Sequence, residues 1–301
     1  MKNYEFTGET KEHCGHVLHR IRAVRDLPKH NVEAGDLGGW IESVDNLLDN
    51  AWVGDNAYIF DNATVYTTAH VCSNARVFNN AQIYDDARVY GDAKISGNAC
   101  VSGDARVYGD AKISGNANVF GNANVFGNAK ISGNACVSGN ACVSGDARVY
   151  GDTCVSGNAD VLDNARVYGD ACVSGNANVF DNARIYGYAC VSGNAKIFGN
   201  ACVLGDAKIS DNACVSGDAR VSGNDDYIVF KNTWSSGRYF TYTHSNKMWV
   251  VGCFNGTGKE LIAKAYKDSE LSGKCYEAIV RAVETIEAAK AEAKGESNGS
   301  K

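Results

Sequence analysis

Proline is almost absent from this chain of 301 residues, which has Pro28 alone beside 33 glycines. Proline cannot donate a backbone hydrogen bond, whereas glycine adopts the left-handed conformations that tight turns require. We therefore expect a regularly hydrogen-bonded backbone interrupted by many short turns. Such regularity indicates an internal repeat.

Long apolar segments are also missing. No stretch approaches the ~20 apolar residues of a membrane helix, and the first six residues lack the apolar run of an export signal. We expect a cytoplasmic protein with no membrane partner. Nine of its twelve cysteines stand at repeat positions and are expected to remain free thiols. The net charge of -6 argues against bulk nucleic-acid binding but allows a local basic surface.

A six-residue repeat occupies the centre of the chain. Val or Ile recurs at 29 consecutive positions from Val53 to Val221 without an insertion, and alanine precedes it by two residues in 28 units, Thr153 being the exception. Glycine follows two residues later in 20 units, and Asn or Asp three residues later in 27. Each unit predicts a short strand with two inward side chains and then a turn. Because so short a strand cannot bury its apolar side alone, successive units are expected to stack as a parallel β-solenoid.

The pattern of an aliphatic residue followed four positions later by a small one resembles the hexapeptide repeat of the left-handed β-helix superfamily. The resemblance covers residues 51–224 and implies triangular coils of three hexads each. We therefore expect an all-β solenoid, a left-handed parallel β-helix of about 9–10 coils, because 29 hexads supply that number.

Two segments of different composition flank the repeat. Residues 1–50 contain an expected strand at 18–24 and the segment 35–42 that leads into the first coil, and we interpret them as a β-rich N-terminal cap. Residues 225–301 predict an α+β module with a hairpin over 238–254 and two helices.

Two details of the C-terminal module follow from its local sequence. The first helix is expected to start at a capping box formed by Thr257 and Glu260. The polar tail beyond about Lys290 is expected to fray.

Residues eighteen apart lie above one another in such coils, so the outward residues form columns. The first face, here named the basic face, carries Arg76, Lys94, Lys112, Lys130, Arg148, Arg166 and Arg184. Beside its later rungs stand Tyr150, Tyr168 and Tyr186. Asp152 and Asp170, at a neighbouring corner, offset part of the repulsion between like charges.

We predict that these seven cations and three tyrosines bind an anionic partner. A polyanion, an acidic protein surface and a phosphate-bearing ligand all fit a row of cationic side chains. The alternative is a solvated face whose long cationic side chains cover the sheet and discourage aggregation.

The second face, here named the thiol face, carries a column of cysteines interrupted once by asparagine. Its members are Cys100, Asn118, Cys136, Cys154, Cys172 and Cys190, with a mostly serine column beside them. Disulfides between neighbouring rungs are expected to be strained because in-register side chains point the same way. A soft-metal site on this face is a weaker alternative, but no histidine at matching rungs or closed tetrahedral set accompanies the thiols, so no metal site is predicted.

The third face, here named the aromatic face, presents an outward apolar stripe. Its members include Tyr90, Tyr108, Phe126, Phe180 and Phe198. An exposed stripe of this length predicts either self-association or coverage by the terminal segments. The hexapeptide resemblance implies a homo-oligomer, with a trimer as the typical arrangement.

The segment 35–42 ahead of hexads of the N-A-x-V type also resembles the YdcK-like group, whose acyltransferase designation is inferred from fold. That resemblance implies acyl-CoA as the cofactor and a histidine base beside a loop that leaves the coil. This chain departs on both counts, because no loop interrupts residues 51–224 and His70 is the one histidine among them. If the chain is an acyltransferase, His70 is the candidate catalytic base.

The preferred prediction is a non-catalytic, rigid interaction scaffold without a cofactor, which binds a protein or anionic partner through its outward columns. An acyl-CoA-dependent acyltransferase is the alternative. A third hypothesis is an inhibitor or small-ligand sponge encoded by a phage or mobile element.

Overall fold

The computed structural model describes residues 2–234 and 237–298. The hexads form three parallel sheets around one apolar core, which confirms the predicted parallel β-solenoid. The sheet on the aromatic face has ten strands, so the solenoid makes about ten turns.

The solenoid strands are short and follow one another from face to face. Those of the basic face are Tyr58–Ile59, Arg76–Val77, Lys94–Ile95, Lys112–Ile113, Lys130–Gly133, Arg148–Gly151, Arg166–Gly169, Arg184–Ile185, Cys202–Val203 and Arg220–Val221. Those of the thiol face are Thr64–Val65, Gln82–Ile83, Cys100–Val101, Asn118–Val119, Cys136–Val137, Cys154–Val155, Cys172–Val173, Cys190–Val191 and Lys208–Ile209. Those of the aromatic face are Trp52–Val53, His70–Val71, Arg88–Val89, Arg106–Val107, Asn124–Val125, Cys142–Val143, Asp160–Val161, Asn178–Val179, Lys196–Ile197 and Cys214–Val215.

The core consists of the aliphatic column and the alanine column predicted from the repeat. The Val and Ile residues from Val53 to Val221 are fully buried, and each such side chain contributes about 1.5–3 kcal/mol relative to an exposed one. The aliphatic register also continues towards the N-terminus, because Ile41 pairs with Ile59 and the buried Leu47 bridges to Val65. The wall of the solenoid therefore already includes the strand Leu37–Ile41.

The turns rely on residues with positive φ. Gly133 has a φ of +74°, and a Cβ added there would lie 2.7 Å from the backbone nitrogen of Gly151 in the next coil. In other turns an acidic residue takes this conformation. Asp55, with a φ of 51°, accepts a hydrogen bond of 2.9 Å at Oδ2 from the backbone N–H of Ser73. The side chain thus links two coils where glycine is absent.

Side-chain amides form ladders along the corners. After the basic face each amide Nδ2 donates to the oxygen of the next rung over 2.6–3.1 Å, in the order Asn62, Asn80, Asn98, Asn116, Asn134 and Asp152. A second ladder follows the thiol face and runs through Asn122, Asn140, Asn158, Asn176, Asn194 and Asn212. These bonds tie each coil to its neighbours outside the core.

A β-hairpin extends the basic face at the N-terminal end. It pairs the antiparallel strands Tyr4–His13 and His16–Ala23, and the second of these pairs with Leu37–Ile41. The strand predicted over 18–24 lies mostly within the second strand, whereas the first strand was not predicted. Two 3-10 turns, Pro28–His30 and Val44–Asn46, complete the cap.

The C-terminal module joins a four-stranded antiparallel sheet to two helices, as predicted in outline. The strands are Tyr227–Lys231, Tyr239–Thr243, Met248–Val251 and Phe254–Gly256, after the 3-10 turn Asn224–Asp226. The helices are α1 (Gly258–Asp268) and α2 (Glu270–Asn298). The predicted capping box is confirmed, since the Thr257 N–H donates to Glu260 Oε2 over 2.8 Å and the Glu260 N–H donates to Thr257 Oγ1 over 3.4 Å.

The end of the chain differs from the sequence-based expectation. Helix α2 continues to Asn298, past Lys290 where the composition predicts fraying, because this segment is rich in alanine, glutamate and lysine, which are strong helix formers. Residues 299–301, the remainder of the tail expected to fray, lie outside the described residues.

Candidate functional site

The seven predicted cations of the basic face form one continuous column. Each pairs in register with its neighbour eighteen residues away, from Arg76 with Lys94 to Arg166 with Arg184. At the ~4.8 Å spacing of paired strands, the cationic side chains recur at every rung. The column follows directly from the uninterrupted hexads, because an insertion would move every later cation to another position.

A groove of about 800 Å³ runs along the first five of these cations. Its lining consists of two sets of residues: Arg76, Lys94, Lys112, Lys130 and Arg148 of the basic column, and Asn74, Asp92, Asp110, Asn128, Asp146 and Asn164. The second set occupies the corner before the basic face, two residues ahead of the cations in sequence. This corner column has the same eighteen-residue period in the sequence but was not predicted, because its residues belong to the turns and do not flank the aliphatic residue.

The groove combines both signs of charge with an excess of cations. Five cations face three carboxylates, which leaves a formal charge of +2. Among the described residues, no ion pair within 4.0 Å joins one of these cations to Asp92, Asp110 or Asp146. The cationic groups therefore keep donors available for a ligand, while the carboxylates and amides offer acceptors beside them.

The three tyrosines predicted beside the basic column stack on one another. The ring centroids of Tyr150 and Tyr168 lie 5.1 Å apart, and those of Tyr168 and Tyr186 lie 5.0 Å apart, with nearly parallel planes. Burial, reinforced by the two flanking tyrosines, raises the pKa of Tyr168 above its ordinary value. The tyrosines extend the surface beyond the groove, since the groove lining ends at Arg148 and Asn164.

The corner on the other side of the basic face is occupied mainly by the amide ladder. Asp152, which the sequence analysis assigned to charge compensation, accepts a hydrogen bond of 2.6 Å from Asn134 Nδ2 and ends that ladder. The carboxylates that line the groove are instead Asp92, Asp110 and Asp146. Carboxylates therefore stand at both corners beside the basic face, Asp152 after it and Asp92, Asp110 and Asp146 before it.

His70 lies outside this groove, in a smaller cleft of about 280 Å³ at the N-terminal end of the aromatic face. The cleft also includes His30, Asp55 and Cys72. The His30 ring packs edge-on against His70 at 5.0 Å, and His30 Nε2 donates a hydrogen bond of 2.7 Å to the Asn50 carbonyl. Sequence reasoning missed His30 because the turn Pro28–His30 brings it back onto the first coils.

The environment of His70 favours its neutral form. Burial, the neighbouring His30 and Arg88 lower the pKa of His70 to about 4, against a small opposing effect of Asp55. Within residues 2–234 and 237–298, no carboxylate hydrogen-bonds to this ring and orients it. His70 at neutral pH is therefore a weak base without the orienting partner typical of a catalytic histidine.

The predicted thiol column is present on the thiol face. Cys136, Cys154, Cys172 and Cys190 pair in register on consecutive coils, and all four are half-buried free thiols. Cys100 stands apart from them, because Asn118 separates it from Cys136.

Three side chains of metal-binding types meet between the hairpin and the first coil. His16 Nδ1 lies 3.0 Å from Glu42 Oε1, and His16 Nε2 lies 3.4 Å from Asp61 Oδ1. The hydrogen bond to Glu42 is the main cause that raises the pKa of His16. Because each ring nitrogen faces a carboxylate, the two contacts favour protonation of His16 and fasten the hairpin to the solenoid.

The aromatic face carries two stacks rather than one continuous stripe. Tyr90, Tyr108 and Phe126 stack with centroids 4.9 Å apart, and Phe180 stacks on Phe198 at 5.0 Å. Stacking leaves these rings half-buried, so less apolar area faces solvent than the sequence column predicts.

Comparisons with known proteins bear on the repeat alone. A family model described as YdcK Beta solenoid repeat matches residues 81–97 and 93–109. The match supports a β-solenoid repeat family for this chain. No curated protein matches it. In the part of the chain that the structure describes, no helix has both the length and the apolar character of a membrane span.

Proposed function

We propose that this protein is a rigid, non-catalytic scaffold that binds an extended acidic segment of a protein partner along the groove of the basic face. The observation that carries the proposal is the row of five cations, Arg76 to Arg148, none of which forms an ion pair with Asp92, Asp110 or Asp146 among the described residues. Over four strand spacings the row extends ~19 Å, enough for about six residues of extended chain.

The composition of the groove favours a peptide over a simple polyanion. The carboxylates Asp92, Asp110 and Asp146 repel a ligand that is anionic along its whole length. An extended peptide instead offers carboxylates to the cations and backbone N–H groups to the carboxylates and amides opposite. Mixed recognition of this kind gives specificity as well as attraction.

The coils hold this row of charges in place. Amide ladders and fully buried aliphatic columns fix each rung relative to the next. Because the groove is ordered before a partner arrives, binding requires ordering of the partner segment and of the long cationic side chains alone. A rigid row of this kind suits a scaffold.

Fluorescence anisotropy with a labelled hexapeptide of alternating glutamate and serine tests the proposal, because its carboxylates are separated by neutral residues. The variant K112E/K130E reverses two cations inside the groove, whereas K259E/K267E reverses two exposed lysines of helix α1 and changes the net charge equally. We expect at least tenfold weaker binding for the groove variant and less than a twofold change for the control. Equal losses in both variants, or no binding by the unaltered protein at millimolar peptide, would reject the groove.

We also propose that the chain self-associates through the aromatic face. The stack Tyr90, Tyr108 and Phe126 leaves half-buried rings along one flat sheet, the kind of surface that hexapeptide-repeat trimers use. Sedimentation equilibrium of the unaltered protein and of Y108E/F126E tests this. A monomer in the unaltered protein, or an unchanged oligomer in the variant, contradicts it.

Acyl transfer is the second candidate function. The observation that favours it is the cleft that places His70 beside His30, Asp55 and Cys72. Native mass spectrometry with and without acetyl-CoA is the first test, and loss of activity in His70→Ala but not in His13→Ala is the second. A protein that binds no acetyl-CoA would exclude this candidate.

A further inference from the structure

The thiol face holds four consecutive cysteines whose spacing suits a particular class of ion. Cys136, Cys154, Cys172 and Cys190 are register partners on neighbouring parallel strands. Paired strands lie ~4.8 Å apart, and side chains in one column of a flat sheet point the same way. We therefore expect neighbouring sulfur atoms to lie side by side at about one strand spacing.

This spacing is too wide for a disulfide and close to that of a linear metal bridge. A disulfide requires sulfur atoms ~2.05 Å apart with a dihedral angle near 90°, and in-register side chains that point the same way could reach this geometry only with strain. A metal–thiolate bond to a d10 ion is ~2.3 Å, so a linear sulfur–metal–sulfur unit spans about 4.6 Å. Thiolates also select soft monovalent ions such as Cu(I).

We propose that the thiol face binds soft monovalent metal ions such as Cu(I). Each ion is held linearly between the thiolates of two neighbouring coils. Four consecutive thiols supply two such pairs, Cys136 with Cys154 and Cys172 with Cys190. The proposal is independent of the groove, because the basic and thiol faces are different sheets of the solenoid.

The reaction is a ligand exchange without oxidation or reduction. One Cu(I) ion and two thiols give one anionic bis-thiolate complex, in which two S–H bonds are lost and two metal–sulfur bonds form. Both protons leave to solvent, since an ordinary cysteine thiol is protonated at neutral pH. Burial and the adjacent thiols of Cys154 and Cys190 raise the pKa of Cys172 to about 11.

Serine hydroxyls on the same strands support the anionic complex. Each of the four cysteines is followed two residues later by a serine, Ser138 after Cys136 being one example. Ser138 acts on the thiol of Cys136 and Ser174 on that of Cys172, and each serine opposes the rise in pKa that burial causes. A hydroxyl donor beside a metal-bound thiolate stabilises its remaining charge.

Two other thiols of the solenoid differ from the column thiols in having no cysteine on a neighbouring strand. Cys100 lies between Gln82 and Asn118, and Cys142 lies between Asn124 and Asp160. Both are half-buried and followed by serine two residues later, as in the column. They therefore serve as controls that resemble the column thiols but have no adjacent cysteine.

Native mass spectrometry of the full chain with Cu(I), supplied in the presence of excess bathocuproine disulfonate, tests the proposal. Two variants keep the same number of column thiols: C136S/C190S retains the adjacent pair Cys154 and Cys172, whereas C154S/C190S retains Cys136 and Cys172, two coils apart. We expect two ions on the unaltered protein, one on C136S/C190S and none on C154S/C190S. The control C100S/C142S is expected to keep two ions.

Two further readouts complete the experiment. Each bound ion should release two protons in a weakly buffered titration, and thermal unfolding should show that all variants are folded, since each serine replaces an outward cysteine. Equal ion retention by C136S/C190S and C154S/C190S would overturn the proposal, because adjacency would then be irrelevant. Failure of the unaltered protein to retain any ion would overturn it as well.

Discussion

Thr241 Oγ1 accepts a hydrogen bond of 2.9 Å from the backbone N–H of Cys214. One coil earlier on the same face, the N–H of Lys196 donates to the carbonyl of Ala213 over the same distance. The Thr241 hydroxyl therefore replaces the carbonyl that a further coil would supply. The C-terminal module therefore caps this edge of the solenoid, because its threonine hydroxyl pairs with an N–H that would otherwise require a further strand.

Thr241→Val tests this closure. The substitution keeps the shape of a side chain that is 1 % exposed but leaves the Cys214 N–H without its acceptor. We expect the free energy of unfolding to fall by about 1–3 kcal/mol, the usual cost of an unpaired buried donor. Urea denaturation measures the loss, and a change below about 0.5 kcal/mol would contradict the role of Thr241.

The same substitution at Thr153 should instead raise the free energy of unfolding. Thr153 replaces alanine in the core column, is 1 % exposed, and its Oγ1 has no hydrogen-bond partner among the described residues. Thr153→Val removes a buried polar group at nearly constant volume, so we expect stabilisation by about 1–2 kcal/mol. Urea denaturation beside Thr241→Val checks it, and a destabilised Thr153→Val protein would show that the hydroxyl is paired.

Gly133 provides a test of the left-handed turns. Gly133→Val places a branched side chain at a φ of +74° against the next coil, and we expect a loss of about 2 kcal/mol or more. Gly133→Asn should lose less, because asparagine adopts this conformation more readily and Asn79 does so at a φ of 59°. Thermal unfolding of both variants measures the difference, and equal losses would refute the conformational argument.

The lowered pKa of His70 predicts that the N-terminal end of the solenoid loses stability in acid. Its pKa is lowered from 6.5 to about 4, so its contribution to stability is complete above pH 6.5 and is lost as the pH falls towards 4. The charged or titratable groups that act on it are His30, Arg88 and Asp55. At 1.36 kcal/mol for each pH unit, the loss from pH 7 to pH 4 is roughly 3 kcal/mol.

Chemical denaturation at several pH values checks this prediction with His70→Gln. The variant cannot take up the proton, so its stability should fall less steeply between pH 6.5 and 4. Part of the slope should remain, because burial also lowers the pKa of His30. Identical slopes in the two proteins would mean that His70 titrates normally.

The solenoid was predictable because each inward residue makes the same contact in every coil. Val or Ile at one position and alanine two residues earlier determine the strand, the buried face and the eighteen-residue register, so the columns of Lys112 and Cys154 were correctly assigned to their faces. The earlier start of the core at Ile41 escaped prediction, because the segment around it lacks the alanine and turn residues that mark a hexad.

The features that the sequence did not reveal depend on segments that fold back onto the coils. The contact between His30 and His70 needs the turn Pro28–His30, whose path no period specifies. The bridge of His16 to Glu42 and Asp61 likewise needs the hairpin, which has no repeat. The corner carboxylates of the groove are a different case. Their eighteen-residue period is present in the sequence, but they belong to the turns and not to the outward columns that were predicted to bind.

The amide ladder from Asn62 to Asp152 has a direction. Every amide places its nitrogen towards the C-terminal end and its oxygen towards the N-terminal end, so the side-chain dipoles add along the axis as peptide dipoles do in a helix. The positive end of this series meets the carboxylate of Asp152, which balances it. The ladder is therefore electrically polar along the solenoid axis. A carboxylate at the Asn62 end would instead meet the negative end of the series.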